Sequence, residues 1–191
     1  MNIKYQLNKN YENIKDFLLN IKNFFKQNSN TIHKARNELK VIEYKNIQTV
    51  VKAFKIPNII NQVVYAYFRD SKAKKSYENA VKLINLNINT PTPIGYIEFY
   101  QNFLFKESFF ISEKLDYLFT IREPLRNMML NDRELIVKRF VAFTYNLHKN
   151  GVYHKDYSAG NILVFKNKND EYDFSVVDIN RMEFKKINLE T

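Results

Sequence analysis

Apolar residues recur at two different periods along this chain, and the periods divide it into elements. Between Tyr11 and Lys26, Ile14, Phe17, Leu18, Ile21, Phe24 and Phe25 return every three or four residues, which predicts one amphipathic helix. Gln27 to Asn30 is a polar break. Thr31 to Val41 and Ile47 to Phe54 read as two strands joined near Glu43 to Asn46. Ile56 to Phe68 is apolar and aromatic and runs into a basic stretch. Ser71 to Asn87 reads as a helix with Ala73, Tyr77, Ala80 and Ile84 on one face. The Thr90-Pro91-Thr92-Pro93 run ends that helix and starts an extended segment to Phe99. Phe103 to Phe105 and Ser108 to Glu113 are expected to form a strand pair. Asn131 to Lys149 is a long helix. Asn131 or Asp132 is its expected cap, Ile136, Phe140, Phe143 and Leu147 line its buried face, and Gly151 stops it.

Strands dominate the first part and helix the second. The expected organisation is therefore two lobes, 1–114 and 115–191, with the junction near Glu113 to Asp116. No internal repeat or low-complexity linker interrupts it.

The chemistry concentrates after the long helix. Val152 to Asn161 is too polar and too rich in turn formers for a buried strand, so it reads as a loop. Within it Asp156 follows His154 by two residues, and Asn161 follows Asp156 by five. Asn161 to Phe165 is apolar and β-prone, Lys166 to Asp170 is a polar turn, and Tyr172 to Asp178 reads as the returning strand. Such a hairpin brings Asn161, near the start of one strand, beside Asp178, at the end of the other. Both can then reach one divalent cation through oxygen, as magnesium prefers. Asp156 sits on the loop upstream, free to face an acceptor hydroxyl and take its proton. Phosphoryl transfer from a nucleotide needs this set of groups. A polar loop with an incidental Asp and a turn Asn leaves the order of the four features unexplained.

A lysine that neutralises nucleotide phosphates is expected earlier in the chain. Thr49-Val50-Val51-Lys52 ends a strand with a lysine, as V-A-I-K does in kinases. Lys55 is a rival nearby. Glu78, on the following helix, is the best carboxylate to hold Lys52.

The segments VVKAFKIPN (50–58), SKAKKSYENA (71–80), INTPTPIGYIE (88–98), FFISEKLDYLFTIRE (109–123), HKDYSAGNILVF (154–165) and FSVVDINRM (174–182) resemble, in order and in motif, the lipopolysaccharide core and Kdo kinase family of the protein-kinase-like superfamily. The resemblance runs from about Thr31 to Met182. It implies a protein-kinase-like α+β fold and ATP- and Mg2+-dependent phosphorylation of a sugar hydroxyl of the lipopolysaccharide inner core. It also implies a cytoplasmic protein, peripheral on the inner face of the cytoplasmic membrane, with a lipid-linked glycan as acceptor. Under it Asp156 is the catalytic base, Asn161 and Asp178 bind magnesium, and Lys52 contacts ATP with Glu78 in support. Main-chain groups around Ser112 to Leu115, including Glu113 and Leu115, meet the adenine, and His154 braces the loop and the Asp178 segment.

The chain departs from the kinase pattern in three ways. Its glycines are Gly95, Gly151 and Gly160, so none precedes Lys52. The bend from Asn28 to Arg36 is expected to cover the nucleotide less closely, with Lys34 or Arg36 supplying charge. Asp178-Ile179-Asn180 stands where many kinases have Asp-Phe-Gly. Only 13 residues follow Asp178, so the C-terminal lobe is expected to be partial, as in a minimal or truncated form that leaves apolar surface uncovered.

Composition narrows the partners. The formal net charge of +10 favours anionic ones, and the run from Ile56 to Lys75 has two readings. It could lie on an anionic bilayer, or it could be a small-lobe helix with an apolar core face and a solvated basic end. Cysteine is absent, which excludes disulfides and cysteine metal sites. No stretch of eighteen apolar residues spans a bilayer, and the N-terminus has no signal-peptide core. The 13 tyrosines and 16 phenylalanines fall mostly at core-facing periods and no RNP-like or helix-turn-helix pattern occurs, so nucleic acid is not the expected partner. A catalytically inactive kinase-like binding module, or a protein or small-molecule kinase of the same fold, is the alternative to a sugar kinase.

Overall fold

The structure is a computed structural model and describes residues 2–34 and 37–185. The chain forms two compact units, Met1–Ala80 with Thr92–Lys114 and Val81–Pro91 with Leu115–Thr191. Element ranges in chain order are β1 Asn2–Leu7, α1 Lys15–Leu19, α2 Ile21–Gln27, β2 Thr31–Lys34, β3 Asn37–Tyr44, β4 Ile47–Phe54, α3 Ile59–Tyr67, α4 Lys72–Asn85, β5 Pro93–Gln101 and β6 Leu104–Glu113. They continue with β7 Phe119–Thr120, α5 Arg122–Arg126, α6 Arg133–Lys149, β8 Val152–His154, β9 Ile162–Lys166, β10 Tyr172–Val176 and β11 Met182–Phe184.

The first unit is built on a six-stranded sheet in the order β1-β5-β6-β4-β3-β2, with every neighbouring pair antiparallel. Its core joins Ile14, Phe17, Leu18 and Ile21 to Ile42, Val51, Ile94, Ile97 and Ile111 from the sheet. Phe17 stacks on Tyr44 at 5.0 Å between ring centres, and Phe25 meets Phe109 edge-on at 5.5 Å. Lys40 is buried beside this core. Its Nζ donates to Phe25 O and Asn28 O, both at 2.8 Å, so the ammonium closes the carbonyl end of α2.

Several elements differ from the sequence expectation. The helix expected over Tyr11 to Lys26 is a 3-10 turn (Lys9–Ile14) followed by α1 and α2, which break at Asn20. Asn20 Nδ2 donates to Asp16 O at 3.0 Å, a local bond that competes with helical continuation. The single strand expected over Thr31 to Val41 is the hairpin β2–β3, and Arg36, one of the two cations expected to supply charge there, lies outside the described residues, as does the Lys34 side chain. Phe103 to Phe105 and Ser108 to Glu113 do not pair with each other. Leu104, Phe105 and Ser108 to Glu113 lie in one strand, β6, which pairs with β5 across a turn at Asn102 and Phe103, both at positive φ (49° and 62°). β1 had no counterpart in the expectation, although Ile3, Tyr5 and Leu7 alternate as an edge strand does. On α4, Ala73, Tyr77 and Ala80 are buried as expected, but Leu83 takes the place expected of Ile84, which is exposed.

α3 is turned the opposite way from an ordinary surface helix. Ile59, Ile60, Val63 and Tyr67 are exposed, Ile60 by 72%, while Gln62 is buried. The Gln62 amide is satisfied on both sides, donating to Pro57 O at 2.9 Å and accepting from Lys106 Nζ at 2.8 Å. Of the two readings of this segment, a fully core-facing apolar face does not describe Ile59, Ile60, Val63 and Tyr67, which are turned to solvent, while Tyr65 packs against Phe105 at 5.4 Å between ring centres.

In the second unit, β10-β9-β7 form a three-stranded sheet and β11-β8 a two-stranded one. α6 covers the first through Phe140 and Phe143, which lie 5.7 and 5.5 Å from Phe174 between ring centres. Asp132 is at the N-terminus of α6 but does not cap it. Its backbone is left-handed (φ 58°) and its carboxylate accepts from Tyr172 Oη at 2.9 Å. Gly151, at φ 68°, ends the region C-terminal to α6 in a conformation that favours glycine.

Gly95 lies where β1 crosses β5, opposite Leu7. A Cβ there would come 2.6 Å from Gln6 O, a backbone atom that cannot move aside cheaply. Gly95→Ala is expected to release β1 at a cost of about 1–3 kcal/mol. Faster hydrogen exchange confined to residues 2–7 and their β5 partners checks this.

Candidate active site

The loop that carries Asp156 is tied to the strand end that carries Asp178 by three hydrogen bonds, and a fourth braces the loop itself. His154 ends β8, which pairs with β11 at His154↔Met182. The His154 Nε2–H donates to Val177 O at 3.0 Å, and Nδ1 accepts the Asp156 N–H at 3.1 Å. The two partners fix the neutral Nε2–H tautomer, because a carbonyl can only accept and a backbone amide can only donate. Lys155 N–H donates to Arg181 O at 2.8 Å, and Val177 N–H donates to Asn161 O at 2.9 Å.

The hairpin fixes the second pair of residues. β9 and β10 are antiparallel with Ile162 opposite Val176, so Asn161 precedes one strand where Asp178 follows the other. Asn161 Nδ2 donates to Asp156 O at 2.9 Å. That bond sets the amide orientation and leaves Oδ1 as the acceptor that takes no protein donor among the described residues. Asp178 is at φ 58°, ψ 41°, a left-handed conformation that Asp tolerates better than most residues, and a 3-10 turn (Ile179–Arg181) follows it.

Asp156 is exposed, and its carboxylate takes no hydrogen bond or ion pair among the described residues. Its neighbour Tyr157 anchors the loop to α6. The phenol is 2.8 Å from Thr144 Oγ1, its ring stacks on Phe140, and burial raises it above the ordinary phenol range. Asp156 is thus held by its backbone and by the residues on either side, with its carboxylate left open. A proton acceptor for an incoming hydroxyl needs this arrangement.

The other residues singled out in the sequence are in or beside the first unit. Lys52 is buried on β4, opposite Leu39 and Phe110, with Nζ 5.3 Å from the Phe54 ring centre. Lys55, the rival, is exposed. Glu78 is on α4, and its ion pair is with Lys74 at 3.8 Å. Glu113 ends β6, where its N–H goes to Thr92 O at 2.9 Å, and Lys114 N–H goes to Gln48 O at 2.8 Å. Leu115 follows directly. The Glu113 carboxylate accepts a hydrogen bond from the buried Tyr11 phenol, which burial and that bond push well above its ordinary range. The unit boundary falls between Lys114 and Leu115, so Lys52, Glu78 and Glu113 belong to the first unit, and Leu115, Asp156, Asn161 and Asp178 to the second.

Asn161 Oδ1 and the Asp178 carboxylate are hard oxygen donors at one end of one hairpin, and they fit magnesium in donor chemistry. Among the described residues no cluster of three or more His, Cys, Asp or Glu could hold a metal ion.

One residue at this end was not singled out from sequence. Arg122, the first residue of α5, lies against Gly160 in the same loop. Its contact depends on the β7–β9 pairing, which no local pattern announces.

A solved structure of WaaP in complex with acyl carrier protein is similar to this chain, with a TM-score of 0.64 at 16% identity over 95% of this chain and 73% of that one. The fold is therefore protein-kinase-like. Two WbdD structures are also similar at 16% identity over 79% of this chain. One is a co-crystal with the kinase inhibitor LY294002 (TM-score 0.47, 32% of that chain), and the other is a medium-resolution structure of the bifunctional kinase-methyltransferase (TM-score 0.48, 31% of that chain). No curated protein matches. The profile of the lipopolysaccharide kinase (Kdo/WaaP) family matches residues 56–189, well over half of the chain, and the chain belongs to that family. It is a kinase, a phosphotransferase acting on sugar hydroxyls.

His154→Ala removes both ring bonds and strands the Val177 carbonyl and the Asp156 amide. The expected loss is about 1–3 kcal/mol of unfolding free energy, measured by urea titration. The accompanying signature is faster hydrogen exchange at Asp156 with β9 and β10 unchanged.

Proposed function

We propose that the chain transfers the γ-phosphoryl group of ATP to a hydroxyl of the lipopolysaccharide inner core, on Kdo in preference to heptose. The observation that carries this reading is the open Asp156 carboxylate on a backbone bonded to Asn161 and, through His154, to the residue before Asp178. Asp156 orients the acceptor hydroxyl and takes its proton. Asn161 and Asp178 are the residues that would hold Mg2+, and the ion would supply charge neutralisation on the phosphates. Lys52 contributes a positive charge to the nucleotide phosphates. Glu78 supports it in the family's pattern, and Glu78 also lies 3.8 Å from Lys74. In the connecting segment the Glu113 and Lys114 amides are already used internally, so Leu115 N–H is the next donor for the adenine edge.

The acceptor is lipid-linked in this reading, and α3 supplies a means of reaching it. Its exposed Ile59, Ile60, Val63 and Tyr67 fall within one helical face, flanked by the exposed cations Lys55 and Arg69. No helix among the described residues is long and apolar enough to cross a membrane. The proposed location is peripheral, on the cytoplasmic side of an anionic bilayer.

Incubation of Kdo-lipid A with ATP and magnesium is expected to add one phosphate, read by mass spectrometry. Asp156→Asn should lower the rate by about 10²–10⁴-fold. Persistence of the added phosphate in that variant, or its appearance without ATP, contradicts the reading. In co-sedimentation, binding to phosphatidylglycerol vesicles should exceed binding to phosphatidylcholine vesicles. The double change Ile59→Asp with Ile60→Asp should reduce it by at least about tenfold, because each apolar side chain withdrawn from the lipid costs on the order of 1.5–3 kcal/mol. Capture of an acidic carrier protein with no vesicle binding would assign the α3 face to that partner instead.

A further inference from the structure

Gly160 has no backbone reason to be glycine. Among the described residues the glycine at positive φ is Gly151, whereas Gly160 lies outside that region. The reason is spatial. A Cβ at position 160 would meet Arg122 Nη2 at 2.7 Å and Arg122 Cζ at 3.5 Å, so the guanidinium occupies the volume where a side chain would stand.

Arg122 is set there by the sheet. Thr120 of β7 pairs with Leu163 of β9, and the N–H of the fully buried Ile121 donates to Ile162 O at 2.9 Å. The chain is thus fixed up to the residue before Arg122 and at the strand that begins just after Asn161. The arginine is exposed, and its guanidinium makes no ion pair among the described residues. Its sequence neighbour Glu123 accepts from Asn127 Nδ2 at 3.2 Å. The result is an uncompensated planar cation lying on the loop that runs from Asp156 to Asn161, all within the second unit.

We infer that Arg122 binds an anionic group on the acceptor, a sugar-acid carboxylate, while the acceptor hydroxyl faces Asp156. A guanidinium presents parallel N–H donors that match a carboxylate in two hydrogen bonds, a geometry an ammonium cannot supply. Asp156 is itself an anion with no cationic partner among the described residues, so an acidic acceptor would be repelled unless a nearby cation offset it. A neutral sugar needs no such residue, so Arg122 makes the site selective for an acid. This deepens the acceptor assignment above and rests on it for the role of Asp156.

Direct binding tests it without requiring turnover. Isothermal titration of the wild-type chain with free Kdo, its carboxyl methyl ester and a neutral heptose is expected to show the acid binding at least about tenfold more tightly, a difference of ~1.4 kcal/mol. Arg122→Gln should erase that preference and leave ATP affinity unchanged. Gly160→Ala keeps the charge but displaces the guanidinium, so it should reduce the preference in the same direction. Arg122→Lys should restore only part of it. Near-UV circular dichroism confirms that each variant is folded. Equal binding of acid and ester by the wild type, no binding of either, or a fall in ATP affinity in place of acid affinity would each overturn the inference. The first two leave phosphate transfer to Kdo-lipid A as a separate measurement, so failure of this inference is distinguishable from failure of the kinase reading.

Discussion

One imidazole holds the candidate catalytic segment together. His154 donates to Val177 and accepts from Asp156, so a single ring spans the loop that would receive an acceptor and the strand end that would hold a metal ion. Both bonds go to backbone atoms, so they set where the chain runs while leaving the Asp156 carboxylate unused. The Lys155–Arg181 and Val177–Asn161 bonds complete the tie on either side. Without the ring, a half-buried carbonyl and an amide would each lose a partner, and the tie would rest on the Lys155–Arg181 and Val177–Asn161 bonds.

Much of this was legible from the sequence because it depends on short-range pattern. The apolar, β-prone run from Asn161 to Phe165, the polar turn and the return to Asp178 predict a hairpin, and β9 and β10 pair in that register. α6 was legible for the same reason, since Ile136 and Leu147 are buried and Phe140 and Phe143 reach Phe174. What local pattern could not supply was tertiary partnership. Asp132 looked like a cap until Tyr172, forty residues away, claimed its carboxylate. β6 looked like two strands because its partner, β5, precedes it and covers its whole length. Arg122 became visible only when β7 was placed beside β9.

α3 shows where hydrophobic periodicity misleads. The spacing of its isoleucines indicates a helix, and it is one, but periodicity cannot say which side faces the protein. Gln62 decides the orientation, because its amide finds Pro57 O and Lys106 Nζ within the fold. A buried polar side chain with both ends satisfied fixes the helix more specifically than apolar contact would. The exposed stripe is then a surface property.

Asp178 occupies a left-handed backbone position, and Ile179 behind it is almost fully enclosed. In a protein kinase with glycine two residues on, that segment can rotate between inward and outward poses. In this chain rotation would have to extract Ile179 and break the Lys155–Arg181 bond. The segment is therefore held where it lies by an enclosed side chain and a main-chain bond, with no glycine two residues on to loosen it.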